Sequence, residues 1–102
     1  MASKKRVLIV DDEEDILTYL STLLEDNGYD TLLAREGEEA RKQVETSLPD
    51  LITLDISMPE KSGIKFYRDV KANDQWKKIP IIIVTGISED FKRFISTRQQ
   101  VP

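Results

Sequence analysis

The chain has 102 residues, 39% hydrophobic and 33% charged, with a formal net charge of −4 and neither Cys nor His. That length allows one domain with a modest core, and the two absent residue types exclude disulfides, thiolate zinc sites, imidazole bases and any Ser-His-Asp triad. Net negative charge argues against nucleic acid as a direct partner, no apolar run approaches the ~18 residues of a membrane span, and the basic start is followed by too short an apolar stretch for a signal peptide; a cytoplasmic protein is expected.

Lys4-Lys5-Arg6 reads as a solvated N-terminus. Val7-Leu8-Ile9-Val10 is a continuous, β-branched-rich run, the pattern of a strand buried on both faces. After the acids at 11–15, Ile16, Leu17, Leu20, Leu23 and Leu24 fall at helical spacing, and Asn27-Gly28 supplies a stop. Residues 29–34 read as a second strand. Residues 36–47 read as a second helix, with Ala40, Val44 and Leu48 facing inward, broken by Pro49-Asp50.

Leu51-Ile52-Thr53-Leu54 reads as a third strand, ending at Asp55. Pro59 and Gly63 mark a loop, and Ile64, Phe66, Tyr67 and Val70 outline a third helix. Trp76 reads as a partly buried loop aromatic rather than a partner anchor. Ile81-Ile82-Ile83-Val84 is the most apolar run and a fourth buried strand, followed by Thr85-Gly86. Residues 88–98 read as a fourth helix, with Ser88 as N-cap and Phe91, Phe94 and Ile95 as its apolar face.

Strand and helix thus alternate four times, which predicts an α/β fold with an open, doubly wound parallel sheet. Parallel strands bring Asp11-Asp12, Asp55 and Thr85 to one edge, where such sheets bind ligands. Taken singly, the acids at 11–15 would only favour a helix N-terminus, by about 0.3–1 kcal/mol each. Asp55 alone would be a turn residue, Thr85 a β-former and Gly86 a turn glycine. Three strand ends converging favour a site instead.

Carboxylates crowded together repel, and a hard divalent cation relieves that repulsion. With oxygen donors and no His or Cys, Mg²⁺ is the expected cofactor. A carboxylate can attack phosphorus, a bound cation neutralises the phosphoryl oxygens, Thr85 offers them a hydroxyl and Gly86 leaves room.

Val7-Leu8-Ile9-Val10-Asp11-Asp12-Glu13, Leu54-Asp55-Ile56-Ser57-Met58-Pro59 with Gly63, and Ile81-Ile82-Ile83-Val84-Thr85-Gly86 together resemble the CheY-like receiver domains of bacterial response regulators, in order and across essentially the whole chain. The resemblance implies the flavodoxin-like strand order 2-1-3-4-5. It implies Asp55 as phospho-acceptor, direct Mg²⁺ ligation by Asp12, Asp55 and the Ser57 backbone carbonyl, and a largely water-mediated role for Asp11. It makes Thr85 the switch hydroxyl and places Ser57 and Ile87 where they influence water access. The expected donor is a phosphohistidine on a sensor histidine kinase or phosphotransfer protein, and a downstream effector is the expected recipient of the signal. Such a domain is a phospho-accepting regulator in phosphorelay signal transduction, not an enzyme in the usual sense.

The departure lies at the C-terminus, where the family's fifth strand, its Lys and the fifth helix have no counterpart before Pro102. Lys77, Lys78 and Lys92 cannot take that role. Residues 1–102 are therefore expected to form an incomplete receiver domain. Residues 81–84 are expected to form an apolar edge, inviting a homodimer through the fourth strand or fourth helix. Other readings have less support. An aspartate-nucleophile phosphatase needs a second acid where Ser57 stands, and a Walker B strand lacks its G-x-x-x-x-G-K-[ST] loop. An unphosphorylated pseudo-receiver would not need its three acids intact.

Overall fold

The computed structural model describes residues 4–84. Four strands, β1 (Arg6–Val10), β2 (Asp30–Ala34), β3 (Leu51–Leu54) and β4 (Ile81–Ile83), form one parallel sheet in the order β2-β1-β3-β4. Three α-helices connect them: α1 (Glu14–Asp26), α2 (Gly37–Ser47) and α3 (Ser62–Ala72). This is the expected α/β architecture with flavodoxin-like order. Thr85, Gly86, Ile87, Lys92 and the helix expected over residues 88–98 lie outside the described residues, as do residues 1–3.

The two layers of helix follow from handedness. Parallel β-α-β crossovers are right-handed, so the face a helix covers depends on the direction in which the chain moves across the sheet. From β1 the chain steps outward to β2, which puts α1 on one face. It then returns past β1 to β3 and on to β4, which puts α2 and α3 on the other. The reversal occurs between β1 and β3, the switch point where doubly wound sheets place their sites.

Strand β1 is covered on both sides, as its unbroken apolar run predicts. Val7 and Ile9 pack with Leu17 of α1, flanked by Leu20, Leu24, Leu33 and Leu51. Leu8 and Val10 join Ile52, Leu54, Ala40, Val44, Phe66 and Val70 in the larger core under α2 and α3. Burying each such large side chain is worth roughly 1.5–3 kcal/mol.

Several expectations require correction. Leu23 is 47% exposed, because the narrow stripe from Leu17 through Leu20 to Leu24 already fills the contact with the sheet. Leu48 points outward at 56% exposure: it caps α2 with a left-handed φ of 42°, which turns its side chain away before Pro49. Trp76 is more deeply placed than expected, only 7% exposed, and packs with Ile79 in the main core. Its turn is held by Asn73 Oδ1, which accepts from the backbone amides of Gln75 and Trp76. The fourth strand is shorter than its apolar run. Ile82 and Ile83 are 53% and 45% exposed, because β4 is hydrogen-bonded only to β3 among the described residues. The Asn27-Gly28 stop holds: α1 ends at Asp26, and Gly28 takes the left-handed φ of 90° that glycine tolerates.

Candidate acidic site at the sheet edge

The edge is built by backbone register. Val10 of β1 aligns with Ala34 of β2 and with Leu54 of β3. The next residue of each inner strand extends the ladder by one bond: Asp11 N–H donates to Ala34 O at 3.0 Å, and Asp55 N–H donates to Val10 O at 3.0 Å. Asp11 and Asp55 therefore leave neighbouring strands at the same level. Asp12, one residue further on, is exposed at the rim.

One carboxylate oxygen from each of Asp11, Asp12 and Asp55 lies within 4.8 Å of the other two. Asp11 is 3% and Asp55 8% exposed, the two buried charged residues among those described. Burial pushes the Asp11 carboxyl up to about 6; the charges of Asp55, Asp12 and Glu13 push the same way, and a hydrogen bond from the Glu13 amide opposes them. This is the electrostatic signature of a carboxylate cluster that a cation would relieve. An all-oxygen donor set of this kind fits a hard divalent ion such as Mg²⁺.

Both buried acids are held by the same local device. Asp11 Oδ1 accepts from the Glu13 amide at 2.8 Å, and Asp55 Oδ1 accepts from the Ser57 amide at 2.9 Å. Each carboxylate is thus oriented by the amide two residues ahead, a turn that Asp forms readily. Ser57 adds a second bond, with Oγ donating to the same Asp55 oxygen at 2.6 Å. The resemblance implied a backbone-carbonyl role for Ser57 and an influence on water access, but not this bond to Asp55, for which a hydroxyl two residues after an acid was the signal.

Two further residues had no site role expected from the sequence. Gly63, at the start of α3, packs so closely that a Cβ there would stand 2.5 Å from Asp55 O and 2.9 Å from Ile56 Cα. Arg35, just beyond β2, grips Glu14 at the first turn of α1 through Nε and Nη2, each at 2.9 Å. That pairing holds Glu14 below the usual carboxylate range and raises Arg35. The basic group beyond β2 is therefore already engaged by an acid. Thr85 and Gly86, expected at the end of β4, are outside the described residues, but Val84 N–H donates to Leu54 O at 2.8 Å and carries the chain up to the same edge.

The response regulator receiver domain family matches residues 7–99. The chain is 42% identical over 91 residues to the alkaline phosphatase synthesis transcriptional regulatory protein PhoP of Bacillus subtilis, covering 89% of this chain and 37% of that protein. It is 38% identical over 84 residues to the CAI-1 autoinducer sensor kinase/phosphatase CqsS of Vibrio cholerae, covering 81% of this chain and 12% of that one. The match thus spans well under half the length of either protein. Among solved structures, the chemotaxis protein CheY4 of Vibrio cholerae superimposes with a TM-score of 0.77 at 32% identity, over 92% of this chain and 79% of that one.

Proposed function

The chain belongs to the response regulator receiver domain family, regulatory modules of phosphorelay signalling, and on that premise we propose that Asp55 accepts a phosphoryl group beside a Mg²⁺ ion. The observation that supports this most is the meeting of three carboxylate oxygens within 4.8 Å at the switch point of the sheet. Asp12, Asp55 and the Ser57 carbonyl would hold the ion, with Asp11 behind them. When bound, the ion would offset the negative charge of the acids and of the phosphoryl oxygens.

The protein's own share of the chemistry is positional. Asp55 is fixed by the ladder bond to Val10 and by Ser57, so its carboxylate is oriented before a donor arrives. A carboxylate oxygen forms the new O–P bond while the P–N bond of the donor phosphohistidine breaks, and the electron pair leaves on the imidazole nitrogen, which solvent protonates. This chain has no His, so the donor belongs to a sensor kinase, a phosphotransfer protein or another part of a longer polypeptide. That one relative is named a sensor kinase/phosphatase supports a donor of this class. Thr85 and Gly86 are proposed to meet the phosphoryl oxygens, and a downstream effector to read the result.

The position two residues after Asp55 bears Ser57, whose hydroxyl is bonded to Asp55 itself. No second acid stands there to protonate a leaving group, which disfavours the phosphatase reading. The test is incubation with a small acyl-phosphate donor and Mg²⁺, followed by intact-protein mass spectrometry. One added phosphoryl group is expected, absent in Asp55→Asn and absent without the cation. Modification of Asp55→Asn to the same extent would refute the assignment.

A further inference from the structure

We infer that the Ser57 hydroxyl is a positioning group that occupies one oxygen of Asp55 and competes with a bound cation for it. The inference rests on the proposed reading of the acidic site and concerns the side chain of Ser57, not its carbonyl. Each carboxylate oxygen has two lone-pair directions. Asp55 Oδ1 already receives two donors, the Ser57 amide at 2.9 Å and the Ser57 hydroxyl at 2.6 Å. The proposed chemistry asks Asp55 for two further things, an oxygen facing the cation and an oxygen facing phosphorus. With both directions of Oδ1 filled, Oδ2 has to face the cation and phosphorus at once, one lone pair to each, whereas release of the hydroxyl returns one direction of Oδ1 to the cation.

Of the two donors, only one can leave cheaply. The amide is part of the turn that follows β3, and losing it would unmake that turn. The hydroxyl needs only a rotation about χ1, and Ser57 is exposed, so water replaces Asp55 as its partner. Asp11 supplies the contrast: its Oδ1 accepts the corresponding amide, from Glu13, and the residue two ahead carries no hydroxyl. The two acids therefore share one turn geometry but differ in whether a removable donor sits on the oxygen.

Mg²⁺ titrations followed by melting temperature and by calorimetry, on the unmutated chain, Ser57→Ala and Ser57→Thr, test this. Ser57→Ala is expected to bind Mg²⁺ about three- to tenfold more tightly, the scale of one typical net hydrogen bond. Ser57→Thr, which keeps the hydroxyl, is expected to match the unmutated chain. Equal or weaker Mg²⁺ binding by Ser57→Ala, alongside a normal response of the unmutated chain, overturns this proposal and leaves the metal reading intact. An absence of any Mg²⁺ response in both proteins overturns the metal reading and this proposal with it.

Discussion

Asp11 and Asp55 are each one residue beyond a buried strand, and each is oriented by an amide two residues ahead, yet their environments are not equivalent. Asp11 is the more deeply buried, and its carboxyl is pushed up to about 6, by burial first and then by the neighbouring acids. Between the ordinary carboxylate range and 6 the folded protein holds a proton at Asp11 that the unfolded chain has lost, so stability falls as pH rises through that window. The loss across the window is about 3 kcal/mol at most. In chelator, melting temperature is expected to decline from about pH 4.5 to 6.5. In Asp11→Asn that decline is expected to flatten, with a higher melting temperature near neutrality. A variant with the unaltered slope would show that Asp11 is not the group responsible.

At the scale of elements, the N-terminus of α3 ties the site to the rest of the fold. Gly63 lies against the backbone of Asp55 and Ile56, and the preceding Ser62 Oγ accepts from the Gly37 amide at the start of α2, at 2.8 Å. The approach to α3 is strained, since Glu60 and Lys61 both adopt left-handed φ, at 60° and 55°, without being glycine. Because a Cβ at Gly63 would meet backbone atoms that cannot rotate away, Gly63→Ala is expected to cost roughly 1–3 kcal/mol in urea unfolding and to lower Mg²⁺ affinity by displacing Asp55. Unchanged stability would mean that α3 can shift freely against β3. The other element-scale case is Leu48, whose left-handed cap conformation and 56% exposure both disfavour leucine. Leu48→Gly is expected to stabilise by about 0.5–1 kcal/mol, and a lower urea midpoint would refute the cap argument.

Across the molecule, charge is distributed unevenly. Residues 7–58 contain 14 acidic and 3 basic side chains, a net of −11 within a chain whose total is −4. This stretch includes the three site acids and the first turns of α1 and α2, where Glu14, Asp15, Glu38 and Glu39 cluster. Such self-repulsion opposes the folded state, favours a cation at the site and is screened by salt. The melting temperature is therefore expected to rise by a few degrees as sodium chloride goes from about 10 to 300 mM, with millimolar Mg²⁺ exceeding the effect of equal ionic strength in sodium chloride. Equal shifts from both salts would reduce Mg²⁺ to a screening ion. Among the described residues no helix is long and apolar enough to cross a membrane.

The acidic site was legible in the sequence because its ingredients are local. The unbroken apolar run Val7–Val10 forms a doubly covered strand, alternation with helices specifies parallel strands, and parallel strands align their ends, so Asp11, Asp12 and Asp55 had to converge. Periodicity could not settle what depends on packing between distant elements. Leu23 and Leu48 share the apolar character of their neighbours but face outward, Trp76 turns inward from a loop, and the tight space at Gly63 exists only because α3 docks onto the end of β3. The two donors converging on one oxygen of Asp55 belong to the same class. A pattern of residue types records how much of a side chain is buried along its own element, whereas which atom meets which is decided only when the elements are brought together.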